Sequence, residues 1–156
     1  MQRYRCQTYL SRRIYFCYNP AMAAKSRRTP ESLFRALADQ TRLRILNLIG
    51  DSEVCVCYFV ETLRVAQPKI SRHLAYLRKV GLVETRKDGI WVHYKLTRFS
   101  DPHEERIVRE ALAWIEQSPV AHQDKKRFST ACCNPNRFES LQGAPAPKPT
   151  CTAARM

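Results

Sequence analysis

Apolar residues recur at three- and four-residue spacing in successive stretches from residue 29 onward, and near residue 82 the period changes to two. The first stretch opens at Thr29-Pro30-Glu31, with Thr29 as N-cap and Pro30 in the first helical position, and places Leu33, Phe34, Leu37 and Ala38 on one apolar face. A second helix is predicted from Thr41 to Ile49, stopped by Gly50, and a short third around residues 56–64. The fourth runs from about Gln67 to Val80 with Ile70, Leu74 and Leu77 inward, and Gly81 ends it. Residues 82–86 and 91–96 then alternate and are rich in β-branched and aromatic residues; Lys87-Asp88-Gly89-Ile90 joins them as a hairpin. A last helix starts at Asp101-Pro102-His103-Glu104, and its stripe of Ile107, Val108, Ala111, Leu112 and Ile115 suits either the core or a second subunit. The order ααααββα predicts an α+β, mainly α fold: a winged helix-turn-helix spanning residues 29–120.

Outside that span the patterning fades. Residues 1–28 read as a disordered basic extension, with Met22 a candidate for the true translation start; residues 121–156 read as a cysteine-containing, Pro/Ala-rich tail, disordered at least over 143–149. No internal repeat is visible. No stretch of about 18 apolar residues is present to span a membrane, and the basic N-terminus lacks the apolar run of a secretory leader, so a cytoplasmic protein is expected.

The formal charge of +13 changes the picture once it is located. Residues 1–28 hold seven Lys/Arg and no acid, and residues 121–156 six against two. Residues 29–120 are close to neutral, yet within them residues 64–98 carry nine basic side chains against two acidic ones. A near-neutral domain with one basic face points to nucleic acid rather than to a membrane surface. With Ile70, Leu74 and Leu77 inward, the opposite side of the fourth helix shows Pro68, Arg72, Ala75, Tyr76 and Lys79, flanked by Lys69, Ser71 and His73. Gln67, Lys69, Ser71 and Arg72, near its N-terminal end, are of the types that read base edges in the major groove, and Arg86 and Lys87 on the hairpin suit a phosphate or the minor groove. His73 and Tyr76 complete the candidate DNA-binding set; His73 serves equally well packed against the turn or touching a phosphate.

Four motifs taken together resemble the ArsR/SmtB family of metal-sensing repressors, of the arsenic-responsive type: residues 34–46 (FRALADQTRLRIL), 53–57 (EVCVC), 67–74 (QPKISRHL) and 89–94 (GIWVHY). The resemblance covers roughly residues 30–118. It implies a homodimer built largely through the first and last helices, binding an inverted-repeat operator in double-stranded DNA and repressing an arsenic-detoxification operon. This sequence departs from the family in having Ala66 where a Ser or Thr usually caps the recognition helix, a loss of about 1 kcal/mol of capping.

Seven cysteines in a reducing compartment point to thiol chemistry rather than to a disulfide framework. Thiolates are soft donors for thiophilic ions, and Cys55-Val56-Cys57 offers two at a helix start. Residues two apart diverge by about 200° in a helix but share a side when extended, so both sulfurs reach one ion only if Cys55 precedes the helix or its first turn deforms. In the resembling arsenic sensors a Cys-x-Cys-x-x-Cys motif binds one arsenic; here the third position is Val60. Cys132 and Cys133 are the candidates to complete the site, from the same subunit or its partner. The expected inducer is As(III), with Sb(III) or methylated As(III) as variants, and no cofactor is required. The divalent-metal signature of the family is incomplete, since Asp101 and His103 lack their partners near Trp114 and Gln117 and read better as helix capping. Rival readings are a sensor of cadmium or lead, or of oxidation, on the same cysteines. An enzyme has little support: the chain has no Cys-x-x-Cys, no phosphate-cradling loop and four glycines in all.

Overall fold

A computed structural model describes residues 5–6, 17–18 and 28–147. Two short strands, β1 (Arg5–Cys6) and β2 (Cys17–Tyr18), pair antiparallel. Met22, singled out above, lies outside the described residues.

The helices form where the capping chemistry places them. In α1 (Pro30–Leu37), Thr29 and Ser32 cap each other's backbone N–H groups. Asp39 caps α2 (Gln40–Ile49), its carboxylate accepting from Arg42 N at 2.9 Å. The helix-turn-helix is α3 (Val56–Leu63) and α4 (Gln67–Val80), joined through Arg64, which ends α3 in the left-handed region at φ 54°. Gly81, at φ 84°, caps α4 in a conformation that favours glycine. The hairpin β4 (Val83–Asp88) and β5 (Trp91–Leu96) closes on the pair Asp88–Trp91, with positive φ only at the first turn residue, Gly89, as in a type II′ turn. Asp101 caps α5 (Pro102–Glu116) by accepting from His103 N at 2.8 Å, the capping role expected of that pair.

The core is continuous beneath the helix-turn-helix: Ile45, Leu46 and Ile49 of α2, Tyr58 and Phe59 of α3, and Ile70, Leu74 and Leu77 of α4 are fully buried. Each such aliphatic residue contributes about 1.5–3 kcal/mol by leaving water, so the inner face of α4 holds the helix at a fixed angle to α3.

Three features differ from the sequence reading. In α1 the buried stripe is Leu33, Ala36 and Leu37; Phe34 and Ala38, expected inward, lie on the adjoining stripe and are exposed, Phe34 at 56%. A strand absent from the sequence reading, β3 (Val54–Cys55), pairs with β5 and gives a three-stranded sheet in the order β3-β5-β4. The first part of the stretch read as a tail, residues 121–133, belongs to a further helix, α6 (Pro119–Cys133), capped by Ser118. It packs on α3, with Tyr58 edge-on to Phe128 at 6.0 Å, and on α2, where Arg44 grips Asp124 in a two-pronged ion pair of 2.6 and 2.8 Å. Beyond α6, Leu141 is buried in the same core and Ser140 donates to Glu61 of α3 at 2.8 Å.

Candidate nucleic-acid interface and thiol site

Along α4 the outward residues Gln67, Lys69, Ser71 and Arg72 are exposed, together with Ala75, Arg78 and Lys79. Ala66 makes no side-chain cap, so the first N–H groups of α4 rely on Lys69 N and Ile70 N bonding to Ala66 O. His73 and Tyr76 face differently. His73 Nδ1 stands 3.5 Å from Asp39 Oδ1, the oxygen that caps α2, and burial lowers the imidazole pKa below its ordinary value, outweighing the pull of Asp39. Tyr76 lies under the Arg42 guanidinium, 4.6 Å from ring centroid to Cζ. Arg42 also donates to Ala36 O and Arg35 O, satisfying carbonyls at the end of α1. Both residues thus join the recognition helix to the α1–α2 corner, the packed alternative left open for His73.

On the wing, Lys87 is exposed. Arg86 stands opposite His93 rather than at the tip, and its guanidinium is held by Glu53 at 2.8 Å and Asp88 at 3.1 Å. Glu53 reaches it because β3 docks the residues just before α3 onto the wing sheet. At the tip, Ile90 is 86% exposed.

The thiols divide into two sets. Cys55 is the last residue of β3 and the N-cap of α3, extended at φ −71°, ψ 145° and fully buried. That extended backbone turns its sulfur to the side of Cys57, close enough for a thiol–thiol hydrogen bond, so the first of the two arrangements open to the sequence is the one adopted. Burial pushes the Cys57 thiol up to about 11, with Cys55 adding to the shift. Cys132 is half-buried at the core edge and Cys133 is exposed at the end of α6; none of the four is in a disulfide. Among the described residues, no three or more His, Cys, Asp or Glu side chains are already gathered for an ion, so Cys132 and Cys133 do not join Cys55 and Cys57 in a formed cluster. One neighbour escaped the sequence reading: His93 of β5 pairs directly with Cys55 across the sheet, and its 3% exposed ring keeps Nε2 without a hydrogen-bond partner. Its signal in the sequence was only an inward position in the alternation of Trp91–Leu96, and the pairing partner was a strand too short to be read.

An exposed basic helix face set behind a helix-turn-helix, beside a three-stranded wing, defines a winged helix-turn-helix DNA-binding regulator. Residues 39–85 match the model of the bacterial regulatory protein, arsR family. The arsenical resistance operon repressor of Escherichia coli K12 is 48% identical over 83 residues, 53% of this chain and 71% of that protein. The arsenic resistance transcriptional regulator ArsR1 of Pseudomonas putida KT2440 is 49% identical over 69 residues, 44% of this chain and 54% of that one, so the chain spans only about half of that relative. Among solved structures, HlyU from Vibrio cholerae N16961 superposes with a TM-score of 0.50 at 31% identity, covering 63% of this chain and 96% of HlyU. The chain belongs to the arsR family of bacterial regulatory proteins. No described helix is long and apolar enough to cross a membrane.

Proposed function

We propose that the chain is an arsenic(III)-responsive repressor that binds operator DNA as a homodimer and releases it when Cys55 and Cys57 capture the metalloid. The observation that carries this reading is the paired, preformed thiols at the junction of β3 and α3, the helix packed against the recognition helix. Arsenite fits the pair chemically: two As–O bonds break, two As–S bonds form, and each hydroxide leaves as water with one thiol proton. The product is neutral, which suits a buried site, and the high thiol pKa of Cys57 is no obstacle because the proton leaves with the hydroxide. Cys132 and Cys133, at the end of the helix that covers α3, remain candidates for the third arsenic position; Sb(III) and methylated As(III) compete for the same thiols.

In the DNA-bound state Gln67, Lys69, Ser71 and Arg72 read the major groove, Lys87 meets phosphate, and His73 and Tyr76 hold the helix at its angle. The exposed Phe34 of α1 and Trp114 of α5, the latter 80% exposed, supply the dimer contact. Such a regulator acts in the cytoplasm, as a binding protein rather than an enzyme. The test is fluorescence anisotropy of an operator fragment at fixed salt, with arsenite titrated into reduced protein. Arsenite is expected to release wild type and leave Cys55→Ser bound; a Cys132→Ser/Cys133→Ser variant reports whether the C-terminal pair contributes. Release that persists in Cys55→Ser would remove the thiol pair from the mechanism.

A further inference from the structure

We infer that His93 is a third donor to the site of Cys55 and Cys57, making it a two-sulfur, one-nitrogen site for a thiophilic divalent cation such as cadmium(II). The inference rests on the reading of Cys55 and Cys57 as the sensor thiols and adds a ligand class and a residue to it.

The geometry begins with the sheet. Cys55 and His93 are direct partners in the antiparallel β3–β5 pair, so their side chains leave the same face with Cβ atoms about 4.5–5.5 Å apart. A buried imidazole nitrogen without a partner is costly, and native proteins rarely leave one. Arg86, the partner of His93 on its other side, turns its guanidinium to Glu53 and Asp88 and so does not occupy the space as a free cation. The half-buried Cys57 gives an approach from solvent, while Cys55 and His93 form the floor.

Charge balance favours a divalent ion here. Two thiols lose their protons to solvent, two metal–sulfur bonds and one metal–nitrogen bond form, and the sum of a dication, two thiolates and a neutral imidazole is zero. Three thiolates around the same ion would leave a net negative charge, disfavoured in a buried place. Imidazole and thiolate together suit borderline and soft ions. Because the three groups are not already gathered, closing on an ion shifts the first turn of α3, which carries Cys57, against the fixed β3–β5 pair. That movement couples wing to helix-turn-helix, and the ion's preference for the closed arrangement is what shifts the population.

The experiment uses the full-length reduced protein and cadmium(II) alone. X-ray absorption at the cadmium edge of the wild type is expected to show two sulfurs and one imidazole. His93→Gln is expected to weaken cadmium about tenfold or more, taking the effect of a metal-site partner as the scale, while ion-free operator binding and far-ultraviolet circular dichroism stay as in the wild type. His93→Cys is expected to convert the spectrum to three sulfurs, because a donor at this position lies within reach of the ion. Wild-type absorption without imidazole, or cadmium affinity unchanged in His93→Gln but lost in Cys55→Ser, overturns the role of His93 and leaves the thiol pair standing. Affinity unchanged in Cys55→Ser overturns the thiol reading itself.

Discussion

The ion pair between Arg44 and Asp124 fastens α6 to α2, and its two ends differ in a way that fixes the order of two mutational effects. The Asp124 side chain is 1% exposed and that of Arg44 16% exposed; the guanidinium meets the carboxylate at 2.6 and 2.8 Å, and the Arg44 pKa is raised, chiefly by this hydrogen bond. Removing one member of a buried pair costs about 3–5 kcal/mol because the other is stranded. Arg44→Met strands the carboxylate with only Arg127 at 3.8 Å, and belongs at about 3–4 kcal/mol. Asp124→Ala strands a guanidinium that reaches water, and belongs at about 2 kcal/mol. Replacing both, as Arg44→Met/Asp124→Leu, is expected to recover most of the loss. Urea unfolding at one fixed protein concentration, which holds any self-association constant, measures all three. Equal losses in the two single variants, or a loss below about 0.5 kcal/mol in Arg44→Met, would refute the argument that the pair is buried and asymmetric.

Three further outcomes are expected. Arg64→Gly, at the left-handed residue joining α3 to α4, is expected to stabilise the protein by about 0.5–1 kcal/mol; a lower urea midpoint would show that the arginine side chain matters more than its backbone. Ala66→Ser supplies the missing cap of α4 and is expected to add about 1 kcal/mol, again read by urea midpoint. His73, whose pKa lies below the ordinary 6.5, resists protonation in the fold chiefly because it is half-buried, with Arg42, Lys69 and Arg72 adding to the effect. The unfolded chain therefore binds more protons as pH falls through 6.5, so stability is full above that value and declines until the folded-state pKa is passed. His73→Gln is expected to flatten this slope, and an unchanged slope would assign it to other groups.

How much was legible follows from which signals are local. The ααααββα order, the caps at Thr29 and Asp101, the stops at Gly50 and Gly81 and the inward set of α4 all rest on neighbours in sequence, and the structure has them where the sequence places them. α6 was not legible because its core-facing residues include Ala121, Asp124 and Ala131, two small side chains and a charge whose burial depends on a partner 80 residues away. β3 was not legible because two residues cannot show a period, and only pairing with β5 makes them a strand. The same shortfall governs the site. Cys55 and Cys57 announce themselves by spacing, whereas the packed roles of Tyr76 and Arg86 depend on Arg42 and Glu53, which tertiary structure alone brings to them.

The strand hidden from the sequence also gives a route between sensing and reading. Cys55 ends β3 and occupies the N-cap position of α3, so one residue belongs both to the wing sheet and to the start of the first helix of the helix-turn-helix. Glu53, two residues earlier, holds Arg86 of the wing, and α3 packs on α4 through the same buried core that sets the angle of the recognition helix. A ligand that binds the Cys55–Cys57 pair and recruits a further donor to it acts at the point where sheet and helices meet, and it need not reach the DNA face to misalign it. Strength of binding alone does not release DNA; release requires that the ligand prefer the misaligned arrangement, and a site formed across that junction provides such a preference.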